Sequence, residues 1–147
     1  MKQLSNGVKT TIAITPTEGV AAATDLEGAV LDMANFNGVR ISVLFGTITA
    51  GAVTTIKAQQ GDESDGSDMA DLEGTSQTVA VTDDDEMFQI DVTHPQKRYV
   101  QLYIDRATQN AVVGGAWYDQ YRGRTQPVSQ GTGVTVEVFD APDEGTA

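Results

Sequence analysis

Tyr99-Val100-Gln101-Leu102-Tyr103-Ile104-Asp105 places an aliphatic residue at every second position and a polar or aromatic one between. A period of two marks a half-buried strand, because successive side chains of an extended chain point to opposite faces. Upstream, Val39, Ile41, Val43 and Phe45 alternate with Arg40, Ser42 and Leu44 until Gly46 stops the run. After a turn through 47–51, Thr54, Ile56 and Ala58 share a face of another run. Residues 78–81 and the trio Phe88, Ile90 and Val92 flank a tight acidic turn at 82–85, which reads as a hairpin. Residues 10–14, 29–33, 110–113, 116–121 and the trio Val134, Val136 and Val138 supply further strands. Eight to ten short strands at roughly 8–14-residue spacing predict a single antiparallel β-sandwich or jelly-roll-like barrel. A loose N-terminal arm over about residues 1–9 and a C-terminal tail over about 140–147 flank it.

Composition agrees. Val, Thr and Ile number 41 of the 147 residues, against 17 for Leu, Glu and Lys together. β-branched side chains lose rotamers in a helix and pack well on a pleated surface, so this balance favours an all-β domain. The only helical competitor is 17–34, where Ala21-Ala22-Ala23 and Leu26 could form a turn or two, weakened by Gly19 and Gly28.

Several function classes are excluded or disfavoured. No cysteine is present, so there is no disulfide framework, thiolate metal cluster or cysteine nucleophile. No apolar run is long enough to span a membrane, and residues 1–7 do not lead into a signal peptide. The single histidine, His94, precedes Pro95, and no Gly-x-Ser-x-Gly elbow accompanies it. Gly114-Gly115 lacks the rest of a phosphate loop. The expectation is a non-enzymatic chain with no cofactor and no resident metal.

Charge is uneven. Of the net −12, nearly all arises between Ala58 and Gln96, where eleven acids stand without a lysine or arginine. Such a segment repels nucleic acid and anionic lipid, so neither is an expected partner. Gly61-Asp62-Glu63-Ser64-Asp65-Gly66-Ser67-Asp68 fails as an EF-hand loop: with Gly66 sixth, Gly61 falls first and Leu72 twelfth. It reads as a solvated acidic loop, with a looser cation site as the lesser alternative. Residues 97–124 reverse the balance with five bases, two acids and five of the nine aromatics. Arg98, Tyr99, Tyr103, Trp117, Tyr118, Tyr121, Arg122 and Arg124 are the candidate protein-interface residues, because Tyr, Trp and Arg dominate interface hot spots. The acidic band is expected to face solvent, away from that surface.

Several segments together resemble a family of small virion proteins encoded near the capsid genes of tailed bacteriophages. They are Ala29-Val30-Leu31-Asp32-Met33-Ala34-Asn35-Phe36-Asn37-Gly38-Val39, Leu44-Phe45-Gly46-Thr47-Ile48-Thr49-Ala50-Gly51 and Asp71-Leu72-Glu73-Gly74-Thr75. Arg98-Tyr99-Val100, Asn110-Ala111-Val112-Val113-Gly114-Gly115 and Pro127-Val128 complete the likeness, which covers about residues 10–138. These elements are structural punctuation and bring no catalytic residue with them. The resemblance implies a decoration or cement protein on the capsid exterior, with the major capsid protein as partner and the host cytoplasm as the site of assembly. A homotrimer, with a dimer as the other possibility, fits three-fold shell junctions. The alternative is a phage head or tail module that binds carbohydrate by stacking Trp117 and Tyr118 on a sugar ring.

Overall fold

The computed structural model describes residues 3–141 and 143–145; residues 1, 2, 142, 146 and 147, parts of the expected arm and tail, lie outside the described residues. A helical turn, α1 (Leu4–Gly7), precedes ten strands. These are β1 (Lys9–Ile14), β2 (Leu26–Glu27), β3 (Leu31–Asp32), β4 (Gly38–Ile48), β5 (Val53–Gly61), β6 (Ala70–Asp71), β7 (Gln77–Val79), β8 (Met87–Thr93), β9 (Tyr99–Ala107) and β10 (Ala111–Tyr121).

Every pairing is antiparallel, as the alternating patterns require of strands with one buried face. One sheet runs β1-β10-β4-β8. The other runs β2-β9-β5-β6, with β3 following β2 along β9 and β7 following β6 along β5. Each short pair thus fills one strand position, and the ten strands occupy eight. Numbered by position the sheets read 1-8-3-6 and 2-7-4-5, the order of a jelly roll. The all-β sandwich read from the sequence is the fold of the chain.

The core lies between the sheets. Val39, Ile41, Val43 and Phe45 of β4 face Ile56 and Ala58 of β5 and Val100, Leu102 and Ile104 of β9, all essentially without solvent exposure. Burying one such side chain stabilises the fold by about 1.5–3 kcal/mol, so these strands carry most of the cohesion.

Three local expectations are corrected. Residues 78–81 and 88–92 do not form a hairpin, because β7 pairs with β5 and β8 with β4, in different sheets. The acidic turn is a crossover. Residues 110–113 and 116–121 form one strand, and the register shifts near Gly114-Gly115 absorb the break in the pattern. Val134, Val136 and Val138 join no ladder, and Val136 and Val138 are 45% and 47% exposed. Residues 17–34, the helical competitor, form turns and the short strands β2 and β3, so the all-β reading holds there as well. Their anchor is Gly19, whose carbonyl accepts the Val113 N–H at 2.8 Å; a Cβ there would stand 1.8 Å from the Val113 carbonyl oxygen.

Candidate interaction surfaces

Strand register decides where the eight candidate residues go. On β10, Tyr118 lies opposite Ile41 and turns inward, so Trp117, Asp119 and Tyr121 turn outward. On β9, Leu102 and Ile104 are buried, so Tyr99 and Tyr103 project from the other sheet. The candidates therefore divide between opposite outer faces of the sandwich and its core. No single surface joins them.

Tyr118 is the clearest correction. It is 0% exposed. Its hydroxyl donates to the Ala29 carbonyl at 2.8 Å and accepts the Leu102 N–H at 2.9 Å. Leu102 lies beside the break between β2 and β3, where no edge strand can take its amide. The phenol from the opposite sheet fills that gap, and burial pushes its ionisation well above the ordinary phenol range. Gly28 leaves room for it: a Cβ there would come within 2.7 Å of the hydroxyl oxygen. Tyr118 is thus unavailable for a partner or a sugar.

The face of the β9 sheet is polar and internally satisfied. Arg98 makes a bidentate pair with Asp32 at 2.8 and 3.0 Å and lies 5.3 Å from the Tyr99 ring centroid. That guanidinium holds the Asp32 carboxyl below its usual range. Lys57 lies 4.8 Å from the Tyr103 ring centroid and bonds Asp71 at 2.7 Å. The Tyr103 hydroxyl donates to Asp25, which raises its pKa to about 12.

The outer face of the β10 sheet is divided. Toward one end, half-buried Trp117 stands in register between Ile12 and Ser42, with Leu44 one pleat along and Met87 opposite Leu44; Ile12, Leu44 and Met87 are exposed apolar residues. Toward the other end, Asp119 accepts from Arg40 at 3.0 Å and from the Thr10 hydroxyl at 2.7 Å, while Tyr121 donates to Asp91. Burial, then the Asp91 contact, raises the Tyr121 pKa to about 12. Over this polar end, α1 and residues 136–139 flank an open cavity of about 690 Å³. Arg122 and Arg124 are exposed just past β10; the Arg122 guanidinium lies 5.9 Å from the Tyr121 ring centroid, and the Arg124 amide donates to Asn35.

The acidic band is not set apart from the basic stretch. Lys97 reaches Asp62 at 3.1 Å and Asp68 at 3.8 Å. The acids also serve their own loops. Asp68 accepts the amides of Asp62 and Glu63 at 2.8 and 3.0 Å, Asp83 accepts the Ala80 amide at 2.8 Å, and Asp84 accepts the Ile48 amide at 2.7 Å. Among the described residues no three or more acid or histidine side chains converge as a metal site. His94 is exposed with its amide on the Asn37 carbonyl at 2.8 Å.

Sequence reading missed Arg106, counted there among the bases of 97–124. It is 3% exposed and donates to the carbonyls of Val20, Thr24 and Ala111 at 2.8–3.0 Å. Its parity with Leu102 and Ile104 is the signal that places it inside.

No protein-family model matches the chain, and no curated protein matches it. Among solved structures, a chain in the structure of infectious bursal disease virus, Gt strain, superposes with a TM-score of 0.50 at 12% identity. The match covers 83% of this chain and 33% of that one, so this chain spans about a third of its neighbour's length. At that identity the likeness is one of fold.

Proposed function

We propose that this chain is a non-enzymatic virion structural protein that binds the exterior of a phage capsid and stabilises the mature head, with the major capsid protein as its partner. The observation that carries the reading is the jelly roll itself, shared over 83% of the chain with a chain of a virus particle. The jelly roll is a recurrent architecture of viral capsid domains. The likeness of residues 10–138 to small virion proteins encoded beside phage capsid genes points the same way.

The physical design suits a cement role. Two hydrogen-bonded sheets packed over one buried apolar core make a rigid body, and rigidity limits the entropy lost on binding. In this reading the adhesive face is that of the β10 sheet, with the Ile12–Trp117–Leu44–Met87 patch toward one end and Arg122 and Arg124 past the other. The acid-rich loops stay in solvent, where repulsion among their charges is screened. A trimer would multiply weak contacts at three-fold shell positions.

Co-sedimentation tests the reading. The protein is mixed with expanded, undecorated phage heads and, separately, with host polysaccharide. Pelleting with heads alone is the expected result. Pelleting with polysaccharide alone would place the chain among carbohydrate-binding modules and overturn the cement reading.

A further inference from the structure

Residues 134–139, Val-Thr-Val-Glu-Val-Phe, have the composition and period of a strand yet join no ladder among the described residues. Three of their apolar side chains, at the rim of the cavity over β10, remain substantially exposed, with Phe139 71% exposed. An unpaired segment of this kind is suited to adding itself to an open sheet edge.

One edge fits. β1 is partly covered, since the Thr10 amide donates to the Gln130 side chain and the Thr10 carbonyl accepts the Gly131 amide at 2.9 Å. The β2/β3 edge is broken, and β6 and β7 are two and three residues long. β8 is a continuous seven-residue edge. Bonds from the His94 amide to Asn37 and from the Phe45 amide to Glu86 put its even-numbered residues in the β4 ladder. The backbone groups of Met87, Gln89, Asp91 and Thr93 therefore point outward. The Gln89 carbonyl is met by the Gln77 side chain at 2.8 Å. β8 carries no Lys or Pro to block pairing, and its inward-facing Phe88 and Val92 are only half-buried.

The chain's own arm cannot bring Val134 to the outer edge of β8. Gly131 is fixed at β1, and three further residues to Val134 span at most about 11 Å. A strand added beside β8 would lie four strand spacings from β1, about 19 Å.

We propose that residues 134–139 of one copy pair as an added strand with the free edge of β8 in a second copy. Val134, Val136 and Val138 then cover Phe88 and Val92, while Thr135 and Glu137 join Gln89 on the outer face. Because the arm leaves beside β1 and the acceptor is the opposite edge of the same sheet, the contact is head-to-tail. Repeated with rotation, such contacts close a ring of copies. Strand addition between copies requires no capsid, so it stands or falls separately from the cement role.

The absence of native cysteines makes a crosslinking test clean. Gln89→Cys protein is mixed with Thr135→Cys or Glu137→Cys protein under mild oxidation. At least one mixture should yield disulfide-linked heterodimer several-fold above a mixture of Gln89→Cys with Asp105→Cys, which lies on the outer face of the other sheet. No excess in either mixture overturns the proposal. As a second measurement, Val136→Asp/Val138→Asp, at half-exposed side chains on the rim of the cavity over β10, should lower the solution mass from an oligomer to a single chain. An unchanged mass, or a wild-type mass of one chain at every concentration, also overturns it.

Discussion

Tyr118→Phe removes one oxygen and leaves two buried backbone groups, the Leu102 N–H and the Ala29 C=O, without their partner. Each such loss costs between about 1 and 3 kcal/mol. Urea denaturation should show a clearly lower midpoint with an unchanged slope; an unchanged midpoint would mean that the hydroxyl does not brace the edge. Arg106→Leu should act more locally, freeing the loop that its guanidinium ties through Val20 and Thr24. Hydrogen exchange reads this at the Val113 amide, which is bonded to Gly19 in that loop and should lose protection. Protonation has a defined sign at Asp32. The Arg98 pair depresses its folded pKa, so its contribution is present above the unfolded value near 3.9 and is lost as pH falls through the folded value. Arg98→Ala should therefore flatten the acid limb of the stability curve, and an unchanged limb would contradict the pairing. Tyr103 and Tyr121 work at the other extreme. Both are raised to about 12, so their stabilisation is complete below about pH 10 and fades as pH rises through 12. Tyrosinate absorbance should place their ionisation near pH 12.

At the scale of the strands, alternation found most of β4, β5, β8 and β9, because each buries one face and leaves the other polar. What alternation does not contain is pairing. Residues 78–81 and 88–92 looked like a hairpin because a tight turn joins them, but a jelly roll uses that turn to cross between sheets. Val134, Val136 and Val138 have the pattern of a strand without a partner in this fold, so pattern alone misplaced them. The candidate interface suffered for the same reason. Tyr118 differs from Trp117 and Tyr121 only in parity, and parity on β10 is hidden by the shifts at Gly114-Gly115. Gly19 tests the packing of loop on strand. Gly19→Ala places a Cβ against the Val113 carbonyl, so thermal denaturation should show a lower midpoint, whereas Gly74→Ala meets no neighbour but must adopt a positive φ. A larger loss at Gly74 than at Gly19 would contradict the close approach.

Across the molecule, the two outer faces are chemically different and only one is expected to adhere. The β9 face consumes its bases in pairs with Asp32 and Asp71, while the β10 face combines exposed apolar residues with Arg122 and Arg124 beyond its end. Substituting Trp117, Arg122 or Arg124 with Ala should weaken head binding, and Arg98→Ala or Lys57→Ala should leave it nearly intact. The reverse ranking would move the adhesive surface to the other sheet. With a net charge of −12, copies repel one another at low ionic strength, so self-association should strengthen as salt shortens the Debye length. The central claim is that this jelly roll sits on the outside of a phage head. Direct imaging of particles produced from the genome that encodes the chain, at a resolution that shows individual small domains, tests it most directly. Density for the jelly roll should stand on the outer surface of the shell, clustered in threes over capsid-protein junctions and missing when the chain is deleted. Density confined to the tail, or complete particles without the domain, would contradict the account.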